Sequence, residues 1–475
     1  MGGLSKKAFQ IKRIGDREKL PFIFLDGGAL LFKQNTFHSN AHQQQADIMT
    51  ATGIARAMEL MDCKAVGIAP QDLAGGVDRL KEIQDQQKLN WVSVNLVEPT
   101  NKKPVFTPLI RTKAGSTRIA ILGLTDDQGH PGVTREKYTI VSWKDSLPGY
   151  VKQAQEGADM IILLSSYPEP VNREIAQTID GIHLILQSGR AASNMAPLKI
   201  RNTLLTRVAA RGKYLGMMRI HWTKTGFWGQ DLTKKIRKEQ NKLDRINWQI
   251  GRIEKKKPAS ELKNNSLYTT LLTDRKHTIN AIQALQKKKD AGASDPCSFT
   301  SQFIGLKSSM PDDTEVQGVI DQTTRKVNAF NKKRKRATTA LPHTSLDKLA
   351  GTQKCEECHP VQVAFWKQTS HSSAWKTLEQ GNQQFNDECL VCHVTLPYYD
   401  LDRAREEQLL VQLPKEFRDV GCESCHGPAA AHIKAPESNH PLLPQEKVCL
   451  QCHTDEHDDN FVYTEKRGKI ACPKG

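Results

Sequence analysis

The chain has 475 residues, 38% of them hydrophobic and 25% charged, with a formal net charge of +16 and a mean hydropathy of −0.54. That length suits roughly two to four folded units, and no apolar run approaches the about 18 residues of a membrane-spanning helix. The basic surplus gathers at residues 255–257, 287–289 and 332–336 without interleaved aromatics, so nucleic acid is not an expected partner, whereas an acidic partner or surface is compatible.

Residues 1–20 are basic and polar and hold no apolar core of a signal peptide. From 21 to 225, short apolar runs alternate with helical patterns. Residues 21–25 predict a buried strand, 46–61 a helix, 65–68 a strand, 77–83 a helix and 91–96 a strand. Runs at 119–124, 160–164, 182–186, 204–209 and 215–222 continue the series, which reads as a layered α/β domain with its own core.

Residues 226–293 change character. Ile236, Leu243, Ile246, Ile250 and Ile253 recur at heptad-like spacing, and after the breaker around Pro258 a second pattern runs through Leu267, Leu271, Ile279, Ile282 and Leu285. An antiparallel helical hairpin follows, able to serve as an oligomer contact. Residues 294–345 read as a linker holding one helix near 316–330 and the last basic run.

The segment 346–475 carries the chemistry. Cys355-Glu-Glu-Cys358-His359, Cys389-Leu-Val-Cys392-His393, Cys422-Glu-Ser-Cys425-His426 and Cys449-Leu-Gln-Cys452-His453 are four C-x-x-C-H runs. In each, two thiols can add across the vinyl groups of one porphyrin while the next residue, His, ligates the iron, so the spacing is that of c-type haem attachment. Four haem c groups are expected, with His359, His393, His426 and His453 as proximal ligands. Their eight propionates would bring the charge to about +8.

The sixth ligand is constrained as well. No Met follows Met310, whereas five His lie outside the runs: His343, His371, His432, His440 and His457. Bis-His ligation is the expectation, with a lower potential than His/Met. Residues 360–376 predict a helix opened by Pro360; unbroken, it would put His371 about 18 Å from His359, so His371 should serve another haem. His432 follows His426 too closely to round a porphyrin edge and should also cross to a neighbour. Of the remaining cysteines, Cys63 should be buried, and Cys297 and Cys472 could pair.

Two resemblances add to this. Gly2-Gly3-Leu4, Leu25-Asp26-Gly27-Gly28-Ala29-Leu30-Leu31-Phe32, Asp72-Leu73-Ala74-Gly75-Gly76 and Ala210-Arg211-Gly212-Lys213-Tyr214-Leu215-Gly216 resemble the 5′-nucleotidase branch of the calcineurin-like metallophosphoesterases. The resemblance implies a dinuclear metal site, yet the matching positions are Ala29, Pro70, Gln71, Ser166, Gly189 and Ala191, and the first Asp-x-His would precede residue 2. Such side chains do not replace carboxylate and imidazole. No dinuclear metal centre is expected, and Asp26 and Asp72 are read as structural. The second resemblance, carried by Cys355–Pro360 with Trp366 and His371, Cys389 to Val394, and Val420-Gly421 through Pro428 with His432, is to tetrahaem cytochromes related to the hydroxylamine-linked electron carrier of ammonia oxidisers. It implies close-packed, mostly bis-His haems, of which one can lack a distal ligand.

The expected architecture is therefore multidomain α/β plus α: a degenerate metallophosphoesterase-like domain at 1–225, a hairpin at 226–293, a linker at 294–345 and a mostly helical and loop tetrahaem cytochrome domain at 346–475. The expected role is electron transfer with redox partner proteins or extracellular acceptors, with no catalytic residues assigned and the phosphatase-like domain as scaffold or docking surface. An oxidoreductase acting on a small nitrogen, sulfur or selenium oxyanion at a five-coordinate haem is the alternative, and a working nucleotidase a further one. Haem attachment implies a periplasmic or cell-surface location, with the export signal removed or upstream of the given start.

Overall fold

The computed structural model describes the chain except residues 1–2, 38–39, 128–136, 190–192, 230–231, 255–261, 263–264, 291–295, 308, 334–346, 396–413, 455–456, 459–460 and 474–475. The described elements begin with α1 (Leu4–Glu18), β1 (Phe24–Asp26), α2 (Ala41–Leu60), β2 (Cys63–Gly67), α3 (Val77–Gln87), β3 (Trp91–Val92), β4 (Leu96–Val97), β5 (Leu109–Ala114) and β6 (Thr117–Leu124). Next come β7 (Thr139–Ile140), α4 (Trp143–Gln155), β8 (Met160–Ser165), α5 (Glu169–Thr178), β9 (Leu184–Gln187), β10 (Met195–Ile200), β11 (Thr203–Arg207) and β12 (Tyr214–His221). The long helices α6 (Leu232–Glu254) and α7 (Ser266–Asp290), strand β13 (Ser298–Gly305) and α8 (Thr314–Lys332) precede the short helices of the cysteine-rich segment. The chain divides into two compact units, residues 10–35 with 62–310, and residues 1–9 with 36–61 and 311–475.

In the first of these units a six-stranded sheet of order β10-β11-β9-β8-β6-β5 forms the centre. The pairs β6–β8, β8–β9 and β9–β11 are parallel, and both edge pairs are antiparallel. Its inner strands carry continuous apolar runs because both faces are covered. Ala120, Leu122, Leu124, Ile161 and Leu163 face Trp143, Leu147 and Val151 of α4 and Ile175 of α5. Ile119, Ile121, Met160, Ile162 and Leu164 face the opposite way, toward Ala65, Val92, Trp228 and Cys297. This alternation is the period of two that a strand imposes on its side chains. A parallel sheet β1-β2-β3 and the ribbon β12-β13 supply that second face.

The backbone approaches closely where β1 meets β2. Gly28 has φ +105°, and a Cβ there would lie 2.6 Å from the Gly67 carbonyl oxygen, so only glycine fits. Just beyond it, the buried Asp72 carboxylate gathers the loop: Oδ2 accepts from Ala29 N at 2.7 Å and Ala69 N at 3.0 Å, while Oδ1 accepts from Leu30 N at 2.8 Å and Leu31 N at 3.0 Å. Burial pushes this carboxyl up to about 6, against the pull of those four backbone N–H groups.

The hairpin forms on the expected seam, with Ile246, Ile250 and Leu271 buried and Ile253 and Tyr268 beside them. Leu267, placed on that seam by spacing, is instead 60% exposed, because it sits in the first turn of α7. The hairpin is an insertion between the paired strands β12 and β13. Residues 298–305, read as part of a linker, are thus a strand; alternation in Ser298–Gly305 is weak and its partner is over seventy residues away. Residues 91–96 form two short strands rather than one, since the buried Ser93 and Asn95 side chains bond locally and to Thr125. Helix α1, unforeseen in the polar N-terminal run, buries Leu4, Ala8 and Ile11 at helical spacing.

In the other unit, α2 packs on α8. Asn40 caps α2 by accepting from His42 N and Gln43 N, and Gly53 lets Thr323 approach, since a Cβ there would clash with its hydroxyl. Asn328 of α8 bonds Gln384 and the Phe385 amide, which ties α8 to the cysteine-rich segment. That segment has a small core of Leu349, Trp375, Leu378, Leu390, Val391, Val394 and Phe417. Glu423, 2% exposed, is its polar centre: Oε1 accepts from Ala350 N and Ala429 N and Oε2 from Gly351 N, each at 2.8 Å. The carboxylate satisfies three turn amides that no secondary structure satisfies.

Both carboxylates are acceptor-only, and an amide isostere would aim N–H at N–H. Asp72→Asn and Glu423→Gln should each cost about 1–3 kcal/mol. Hydrogen exchange should accelerate at Leu30 and Leu31 in the first variant and at Gly351 in the second. Wild-type exchange at these amides would refute the clamp roles.

Candidate haem centre

Each C-x-x-C-H run lies in a short helical turn that sets its cysteines and histidine on one side. Cys355 lies in the last turn of the helix Thr352–Glu356, and His359 N bonds back to Cys355 O at 2.8 Å. The second run is one helix, Asp387–His393, capped by Asn386. The third is the helix Cys422–His426, opened by Gly421 and closed by Gly427 at φ +77°. In the fourth, Glu446–Cys449 is followed by the same backbone closure, His453 N to Cys449 O at 2.9 Å.

The clamp at Glu423 is the residue between the two cysteines of the third run, and it holds the turn that leads into the first. Thr352 adds to this, its hydroxyl accepting from Cys422 N at 3.3 Å. The first and third runs therefore stand side by side. The neighbouring Cys355 thiol holds the Cys422 thiol down at about 7, and Cys422 together with burial pushes the Cys355 thiol up. None of the eight run cysteines is joined in a disulfide.

The histidines are oriented from behind. His393 Nδ1 donates to the Ala374 carbonyl at 2.7 Å, His426 Nδ1 to the Leu442 carbonyl at 3.0 Å, and His432 Nδ1 to the Asn439 carbonyl at 2.7 Å. His453 Nδ1 lies 2.9 Å from Asp458 Oδ2. A carbonyl only accepts, so Nδ1 carries the proton and Nε2 is left with its lone pair outward, the state a metal-ligating imidazole needs. These orienting groups, and Phe461 stacked on His453 at 4.5 Å, were not singled out from sequence. Most are backbone carbonyls, which no residue type announces.

Two imidazole pairs face each other. His359 and His432 have ring centroids 6.3 Å apart with planes 22° from parallel, and His371 and His453 are also 6.3 Å apart, at 56°. Two metal–imidazole bonds of about 2 Å plus about a ring radius on each side give about 6 Å, so one iron fits between the members of each pair. Burial, with His453 adding to it, lowers the His371 pKa and favours the neutral ring that can ligate. His440 and His457 are exposed, His343 lies outside the described residues, and His393 and His426 have no facing imidazole among the described residues.

The path from His359 to His371 differs from expectation. The helix Pro360–Trp366 stops, and a 3₁₀ turn, Ser370–Ser373, precedes a second helix, Ala374–Gln380. Thr369 is extended and its hydroxyl bonds the Trp366 carbonyl, while Ser372 bonds Lys367 and Thr369 carbonyls. These local side-chain bonds compete with helix continuation. The rise of an unbroken helix therefore does not set the position of His371; the turn does. The suggested pairing of Cys297 and Cys472 is also corrected: both are free, and Cys297 is buried against Thr223.

In the α/β unit, the positions matched to metal ligands sit at the C-terminal ends of the strands. Asp26 Oδ1 accepts from Gly28 N at 3.0 Å, Ala29 adopts φ +60°, and Pro70 and Gln71 lie in a 3₁₀ turn. The Ser166 hydroxyl accepts from Asp126 N at 2.8 Å. Gly189 has φ +107°, and Ala191 lies outside the described residues. Among the described residues no group of three or more His, Cys, Asp or Glu is arranged to hold a metal ion, and no helix is long and apolar enough to cross a membrane.

Residues 354–427 match the family model described as Cytochrome c554 and c-prime. Cytochrome c-554 of Nitrosomonas europaea is 30% identical over 94 residues, which cover 16% of this chain and 37% of that protein, so the chain spans well under half of the relative's length. Among solved structures, the sulfate thiohydrolase of Thermus thermophilus in complex with glycerol is similar with a TM-score of 0.47 and 16% identity, over 68% of this chain and 46% of that one. A 5′-nucleotidase precursor, also from Thermus thermophilus, gives 0.45 and 15%, over 69% and 54%. The C-terminal segment is thus similar in sequence to cytochrome c554, a similarity that implies covalently bound haem c.

Proposed function

We propose that this protein is a multihaem electron-transfer protein that works outside the cytoplasm, with four haem c groups and a phosphatase-like unit that has no hydrolytic role. The observation that carries the reading is the pair of facing imidazoles, each joining the His of one C-x-x-C-H run to a His outside it at a separation that admits one iron. His432 would then be the distal ligand for the Cys355/Cys358 haem, and His371 for the Cys449/Cys452 haem. Candidates for the other distal positions are His343, His440 and His457.

When bound, haem c supplies a one-electron iron couple. The chain contributes the rest. Each run's two thiols would hold the group by adding across two vinyl groups, sulfur to one carbon and hydrogen to its neighbour, which needs no outside oxidant. The Nδ1–H donors leave Nε2 free to ligate, and the Asp458 carboxylate beside His453 would make that imidazole a stronger donor to a bound iron. The bonds from Glu423 and Thr352 set the first and third runs together, as electron exchange within the segment requires. Redox partners are proteins or extracellular acceptors.

A second reading has one observation behind it. Because His393 and His426 lack a facing imidazole among the described residues, a haem on either could stay five-coordinate and bind a small nitrogen, sulfur or selenium oxyanion for reduction. Mass spectrometry of protein matured in a haem-attaching host should show four covalent haems, and the ferric spectrum should be low-spin. Three haems would undo the four-site reading; a high-spin component would favour the oxidoreductase.

Ligand exchange tests the pairing. In His371→Met all four haems should stay attached, since the thioethers are untouched, and one potential should rise as thioether replaces imidazole. The same holds for His432→Met at a different haem. Four unchanged potentials in potentiometric titration would remove both residues from the ligand set.

The α/β unit is proposed to be inactive because Ala29, Pro70, Gln71, Ser166 and Gly189 supply no ligand set for activating water. With added manganese, zinc or magnesium, purified protein should not release phosphate from nucleoside monophosphates. Metal-dependent release abolished by Asp26→Ala would contradict this.

A further inference from the structure

The hairpin α6–α7 has no task in the reading above. Residues 232 to 290 hold sixteen Lys and Arg but six Asp and Glu, a net +10 out of +16 for the whole chain. Its base is fixed: Cys297 N donates to Phe227 O and Gly229 N to Cys297 O, both at 2.9 Å, and Trp228 makes edge contacts with Trp222 and Phe299. These contacts order the end of the ribbon β12–β13 into which the arm is inserted.

One face of α6 stands apart. At about 100° per residue, Arg237, Lys238, Arg245, Trp248 and Arg252 fall within about 100° of arc, opposite the seam residues Ile236, Ile246 and Ile250. All five are exposed, with Asp244 at the margin. Trp248 is 61% exposed, and the Arg252 guanidinium lies 4.8 Å over its ring. An exposed indole that shares its helix face with three Arg has the composition of an interface hot spot, where Trp and Arg predominate.

We infer that this face docks an acidic surface of a partner protein, with Trp248 as the anchor and the surrounding cations pairing with Asp and Glu. Charge complementarity selects the occupant. A second copy would bring the same +10 and be repelled. A bilayer would need a broad apolar face, and Trp248 is the one large apolar side chain exposed among the described residues of α6. The single indole, already covered by Arg252, is no series of stacking platforms for a nucleic-acid strand. The inference deepens the electron-transfer reading by giving the partner's chemistry: opposite charge speeds encounter between redox proteins that must meet and part quickly.

The full haem-loaded chain, immobilised, would be titrated with poly-L-glutamate at low and moderate salt. Binding should weaken at least about tenfold in Arg245→Glu/Arg252→Glu, a loss of about 1.4 kcal/mol, and in the milder Arg245→Gln/Arg252→Gln several-fold. The control Lys102→Glu/Lys103→Glu, in an exposed loop of the same unit, should stay within about twofold, and circular dichroism should be alike for all. Equal weakening in the control, no weakening in the α6 variants, or Arg245- and Arg252-dependent sedimentation with phosphatidylglycerol vesicles would overturn the inference. Because α6 holds no haem ligand, haem counting on the same samples separates the two claims. Fewer than four haems with intact α6-dependent binding would reject the haem reading alone, and four haems without that binding would reject this one alone.

Discussion

Buried carboxylates that gather backbone amides are the interaction on which both units depend. A turn removed from water leaves N–H groups that no helix or strand satisfies, and each costs about 1–3 kcal/mol if abandoned. Glu423 answers this in the cysteine-rich segment by accepting from Ala350, Gly351 and Ala429, which fixes the entry to the first attachment run from the middle of the third. Asp72 does the same at the loop after β1, closing Ala29, Leu30, Leu31 and Ala69. One acceptor-only group with two oxygens replaces what would otherwise be several separate partners.

The cysteine-rich segment has little else to rely on. Its apolar core is confined to the neighbourhood of the second run, where Leu390 and Val391 meet Trp375, Leu378 and Phe417. Elsewhere the cysteines and histidines of the runs are half-buried or exposed. A segment with so small a core of its own needs an added apolar mass to be stable. Four porphyrins, attached covalently at the positions of these thiols, would provide it, so in the proposed function cofactor and core are the same material.

The α/β unit presents the reverse case. Its apolar layers are complete on both faces of the central sheet, and its close approaches at Gly28 and Gly67 are preserved, while the positions matched to metal ligands hold Ala29, Pro70, Gln71 and Gly189. Layer packing and backbone geometry hold the strand ends in place. Asp72, with all its acceptor capacity used on amides, has become part of the loop's structure.

Sequence alone determined whatever rests on fixed covalent spacing or on periodicity. The attachment runs are legible because two thiols and an imidazole must meet one porphyrin, and the parallel strands because burial on both faces forces unbroken apolar runs. The seam of the hairpin was legible for the same reason. What sequence left open is what depends on distant partners. Strand β13 is a strand because β12 lies beside it, and Leu267 leaves the seam because it falls in the first turn of α7. The position of His371 follows from a turn made by Thr369 and Ser372, where helical propensity alone would have continued the helix. That His371 faces His453, and His359 faces His432, was decided by the tertiary structure: residues far apart in the chain are brought within one metal's reach by backbone turns that no single residue type specifies.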